Sequence, residues 1–172
     1  MEAAEYLAFV PLLFYGIALA DLLGQWRRFF DREAFYLPYF LTTIVFTELA
    51  IWNVYEYLAV VNQLDGVSYL GYWAYLLQPI LFLLTVSALT PDSDENDTRE
   101  YFHERMSLIY LLMACFIASH LLTITEYTPA NVLPRTFATF LLVAVAATHR
   151  LELVYALAVV WFATVVRRLF FL

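Results

Sequence analysis

Residues 38–61 read PYFLTTIVFTELAIWNVYEYLAVV, with Glu48 and Glu56 as the only charged side chains. As an α-helix rising about 1.5 Å per residue, this stretch covers a bilayer core of roughly 30 Å. A membrane β-strand would instead show roughly ten-residue segments alternating apolar and polar. No such alternation appears here. Comparable apolar runs occupy 3–23, 69–89, 104–124, 130–148 and 151–171. The expectation is an all-α, polytopic transmembrane bundle of six helices in a single domain over 1–172, with an acidic linker at 90–100. The fifth and sixth runs are separated only by His149 and Arg150, which implies a very tight hairpin or a helix that falls short.

Composition agrees. Of 172 residues, 63% are hydrophobic and 15% charged, and the mean hydropathy is +0.72. An ordinary soluble domain has roughly 45–50% apolar and about 25% charged residues. The net charge is −7, and all nine cationic side chains are arginine. Without lysine, a retinal or pyridoxal Schiff base cannot form. The acidity and the lack of a basic stripe argue against nucleic acid as a partner. The single cysteine, Cys115, excludes an intrachain disulfide and a thiolate metal cage, and reads as a small packing residue. The first run lacks a basic leader and reads as a retained helix.

Local signals mark several ends. Pro38 and Pro134 stand where second and fifth helices begin, and Asp97 with Glu100 has capping-box spacing before the fourth. Pro79 lies inside the third run, where it frees the carbonyl of Tyr75. The first connection interleaves aromatics with arginines. Trp26, Arg27, Arg28 and Arg32 are therefore candidates for contact with lipid headgroups. Arg27, Arg28, Arg32, Arg99, Arg105 and Arg150 fall in the first, third and fifth connections, against Arg135, Arg167 and Arg168 on the other side. That bias predicts those three connections on the cytoplasmic face, with both termini outside. A faint echo relates Leu19-Ala20-Asp21-Leu22-Leu23 to Ala118-Ser119-His120-Leu121-Leu122, and Leu37-Pro38 to Leu133-Pro134. It suggests a three-plus-three inverted repeat, a plan shared by many transporters.

The chemistry concentrates on the second span. Successive steps of four residues turn about 40°, so Glu48, Trp52 and Glu56 share a face. An ionised carboxylate at the bilayer centre costs on the order of 2.5–3.5 kcal/mol. That face is therefore expected to look into the bundle or a wet cavity, with Glu48 as a proton-carrier candidate. Glu56, Gln78 and His120 are the next candidates. The blander reading is that all four only knit helices together.

Other sites fare worse. His103, His120 and His149 are too few for histidine boxes, and Glu100 with His103 is half of a di-iron pattern without its second copy. Asp92 to Asp97 begins like a calcium loop but has Asp97 where the turn needs glycine and His103 where it needs glutamate. It reads as a solvated connection. No cofactor and no metal site is expected. No nucleophile–base pair can be named, so an enzyme is disfavoured.

Two segments carry a resemblance. The first is Gly16-Ile17-Ala18-Leu19-Ala20-Asp21-Leu22-Leu23 with Trp26 and Arg27-Arg28. The second is Thr90-Pro91-Asp92, then Asp97-Thr98-Arg99-Glu100-Tyr101-Phe102 and Arg105. Together they resemble a family of small bacterial multi-pass membrane proteins. The resemblance implies a bacterial cytoplasmic-membrane helical bundle and brings no activity or site residue with it. The functional expectation is a transporter or channel-like protein passing a proton, ion or small solute by intramembrane carboxylates, with the lipid bilayer as its partner. The alternative is a non-catalytic accessory or scaffold subunit of a homo-oligomer or larger membrane complex.

Overall fold

The computed structural model describes residues 3–60, 66–91, 97–123 and 127–171. It contains six long helices: α1 (Ala3–Gln25), α2 (Leu37–Val60), α3 (Tyr69–Leu89), α4 (Thr98–Ser119), α5 (Pro129–Thr148) and α6 (Leu151–Phe171). Short 3-10 turns at Trp26–Phe29 and His120–Leu122 follow α1 and α4. There is no strand among the described residues. Five segments, Leu7–Phe29, Leu37–Tyr57, Tyr69–Leu89, Thr98–Leu122 and Pro129–Thr148, are long and apolar enough to cross a membrane. The chain is a multi-pass helical bundle of the membrane type.

The outer surface fits that setting. Phe9, Leu70, Phe140 and Val159 are 64%, 80%, 71% and 67% exposed, which lipid favours and water would not. Cys115 is exposed on α4 and does not pack inside. Without water in the core, polar side chains must find partners within the chain. Threonines do this locally: Thr42, Thr43 and Thr47 each donate to the carbonyl four residues back, at 2.8, 2.9 and 2.8 Å.

The helix ends show where local chemistry ruled. Asp97 caps α4, its carboxylate accepting from the amides of Arg99 at 2.9 Å and Glu100 at 3.0 Å. The helix therefore starts at Thr98, six residues before the apolar run, because the cap and not hydropathy sets the first turn. The acidic connection 92–96 lies outside the described residues. α5 begins at Pro129 after Thr128, and Pro134 sits inside the helix. The earlier proline takes the N1 position, where its missing amide costs nothing. The α5–α6 hairpin is closed by His149, whose φ of 53° is left-handed and whose amide donates to Val145 O. That one residue reverses the chain, so α5 and α6 keep 20 and 21 residues.

The helices close a ring. α1 packs on α2 and α3, α3 on α4, α4 on α5, and α6 bridges α5 back to α2, while α2 meets α4 across the middle. The two halves are packed differently, since α1 lies against α3 whereas α6 rests on α2 and α5. Phe82 and Phe116, both fully buried, meet tilted at 5.1 Å in the α1–α4 half, with the Tyr15 ring 5.6 Å from Phe82.

Candidate functional site

α2 separates two polar sites because it presents different faces to the two halves of the ring. On the α1–α4 side, Asn53 is buried one turn above Leu49. Its Nδ2 donates to Leu49 O at 2.8 Å. That contact fixes the amide, since flipping it would set oxygen against oxygen. Oδ1 then faces two partners: the Tyr15 hydroxyl donates to it at 3.4 Å, and His120 Nε2 lies 3.2 Å away.

His120 is positioned by the 3-10 turn that ends α4. Its Nδ1 lies 2.9 Å from Phe116 O, and its ring meets the Phe116 ring edge-on at 4.7 Å. Both ring nitrogens thus face acceptors. A neutral imidazole carries one N–H and satisfies one of them; the imidazolium satisfies both. The network continues through Thr123, whose hydroxyl donates to His120 O at 3.3 Å and accepts from Gln78 Nε2 at 2.7 Å. Gln78 is buried beside Pro79. Tyr57 lies one turn from Asn53, and its hydroxyl is buried with no hydrogen-bond partner among the described residues.

On the other face of α2, Glu48 turns toward α6. Its carboxylate accepts from the Trp161 indole at 2.6 Å and is half-buried. Trp161 also walls an apolar cavity of about 90 Å³ between α2, α4, α5 and α6, reached by Leu49, Met113, Leu142 and Val154. Thr42 and Tyr110 border it but bond each other at 2.9 Å. One turn beyond Trp52, Glu56 is exposed. The face shared by Glu48, Trp52 and Glu56 therefore lies along the α2–α6 seam and the bundle exterior, and Asn53 holds the inward position.

The structure thus joins two of the four sequence candidates, Gln78 and His120, and sets Glu48 and Glu56 apart from them. It adds Tyr15, Asn53 and Thr123 to that pair. Asn53 was legible as an amide inside a span, but its partners come from α1 and α4, at sequence separations of 38 and 67.

The first connection divides similarly. Trp26, Arg27 and Arg32 are exposed, as headgroup contacts require. Arg28 turns inward and is 8% exposed, with Nε donating to Gln25 at 3.0 Å and Nη1 to Thr98 at 3.4 Å. Nearby, the Tyr36 hydroxyl lies 3.0 Å from His103 Nε2. Burial pushes the Tyr36 phenol above its usual range; Arg99 pulls it back, and Tyr155 adds to the rise.

A serine–histidine contact also appears. Ser107 Oγ lies 2.6 Å from His149 Nε2 and donates to Ala146 O at 2.7 Å. The one hydroxyl proton goes to the carbonyl, so His149 Nε2–H donates to the oxygen. The pair closes the last turn of α5 and does not activate the serine. No group of three or more metal-ligating side chains gathers among the described residues.

Compared with known proteins, the chain matches no family model, no curated protein and no solved structure.

Proposed function

We propose that this chain passes a proton or small polar solute across the membrane, with His120 and Glu48 as the titratable groups within its spans. The observation that carries the reading is the His120 ring, held between Phe116 O and Asn53 Oδ1. A second proton has a bonded place waiting, and losing it sets a ring-nitrogen lone pair against an acceptor oxygen. Asn53 from α2 faces the ring, Tyr15 from α1 donates to the same Asn53 oxygen, and Gln78 is joined through Thr123 to the His120 backbone carbonyl. Glu48 is the mid-span carboxylate on the opposite face, with Trp161 as its donor. The arginine bias supports both termini outside, and the motif resemblance supports a bacterial cytoplasmic membrane as the setting.

The test is proton or solute flux in liposomes carrying the purified chain. Flux should fall about tenfold or more in His120→Gln and in Glu48→Gln, the scale of one lost proton-transfer group. Wild-type flux in both variants sinks the reading.

A second reading has its own support. Glu48 bonded to the Trp161 indole beside an apolar cavity, and Glu56 exposed, suit a scaffold that knits α6 onto α2 and meets a neighbouring subunit or a second copy. That reading expects no flux from the wild type and isolation as part of a larger complex.

A further inference from the structure

Where α3 ends and α4 begins, a groove of about 410 Å³ runs between the two helices. Its lining is sorted by depth. Thr90, Ser87 and Arg105 lie toward the helix ends, and Leu84, Leu108 and Leu112 lie toward mid-span. Leu112 is seven residues beyond Arg105, about 10 Å deeper along α4. Leu84 and Leu108 are 50% and 41% exposed, so the deep part opens to the surroundings of the bundle.

Arg105 is held in place. The Tyr101 hydroxyl donates to Ala88 O in the last turn of α3 at 2.8 Å and to Thr90 O just past it at 3.2 Å, which braces the ring across the helix end. The Arg105 guanidinium carbon stands 6.0 Å from that ring's centre. Arg105 and Ser87 are both exposed. Glu104 precedes Arg105 but does not line the groove.

We propose that this groove binds one anionic glycerophospholipid, its phosphate on Arg105 and Ser87 and one acyl chain over Leu84, Leu108 and Leu112. The charge is complementary, because a guanidinium pairs with phosphate through a fork of donors. The depth order matches too. A lipid carries its phosphate at the interface and its chain below, as the groove carries arginine above and leucine below. A soluble anion would use the guanidinium and leave the leucines uncovered. The inference rests on the membrane setting and not on the transport reading.

Native mass spectrometry of the detergent-purified chain tests this with phosphatidylglycerol and phosphatidylcholine. One phosphatidylglycerol should bind with about tenfold preference, the scale of a single charge-assisted contact. Arg105→Gln should remove the preference. Ser87→Trp, at an exposed position, should fill the groove and weaken both lipids. Arg150→Gln removes an exposed arginine elsewhere and should change nothing. Two results overturn the proposal: a preference that survives Arg105→Gln, or one lost equally in Arg150→Gln, which would make it a matter of overall charge.

Discussion

Asn53 Oδ1 accepts from Tyr15 and faces His120, so one side chain holds α1, α2 and α4 together. Replacing it by leucine keeps the volume and leaves the Tyr15 hydroxyl and a ring nitrogen without their partner. Hydrogen bonds inside membrane bundles contribute about 0.6–2 kcal/mol each, so Asn53→Leu should lower stability by about 1–2 kcal/mol. Tyr57 is the control from the same turn. Its hydroxyl is already unpaired among the described residues, and removing a buried unsatisfied group costs nothing. Tyr57→Phe should match or exceed the wild type. Both are read from unfolding in mixed detergent micelles. A Tyr57→Phe variant as damaged as Asn53→Leu would show that the tyrosine hydroxyl has a partner after all.

At the scale of elements, the spans were readable and the facings were not. Length and hydropathy place α2 and α3 within one residue of the observed bounds, because lipid demands about twenty apolar residues whatever surrounds them. The same demand hides orientation. The lipid face is as apolar as the core face, so no amphipathic stripe says which side of α2 looks inward. Glu48 is satisfied sideways, its carboxylate accepting from Trp161 on α6. Where local chemistry is strong the sequence is reliable, as at the Asp97 cap. Where two prolines compete, as at Pro129 and Pro134, the apolar run from 130 agrees with the earlier one, and the reading of Pro134 as the start does not hold. The α5–α6 hairpin was open in the sequence and is closed by the backbone of His149 at φ 53°. Asparagine tolerates that left-handed region and a β-branched residue does not. His149→Asn should lose only its contact to Ser107, whereas His149→Val should add about 1–2 kcal/mol of backbone strain. The ordering of the two midpoints in thermal unfolding checks this; equal midpoints would mean the hairpin does not depend on that conformation.

At the scale of the whole molecule, the ring order α1–α3–α4–α5–α6–α2 leaves α6 resting on α2 and α5. Its placement decides the topology. If α6 crosses with the other five, both ends of the chain lie on one side; if it stays at one face, they do not. Exposed positions make this measurable with an impermeant thiol reagent on intact cells, in a Cys115→Ser background. Glu33 lies in the first connection, Arg150 between α5 and α6, Tyr127 just before α5, and Arg167 in the last turns of α6, all of them exposed. With six spans and both termini outside, Tyr127→Cys and Arg167→Cys label from outside, and Glu33→Cys and Arg150→Cys label only after the cells are opened. Arg167→Cys protected together with Arg150→Cys would leave five spans, with α6 folded back along α2 from the cytoplasmic side. Glu33→Cys labelled from outside would invert the molecule and put the Asn53–His120 network at the inner face. Transport would then have to load that network from the cytoplasm, so the labelling pattern also fixes which compartment's pH the His120 ring would sense.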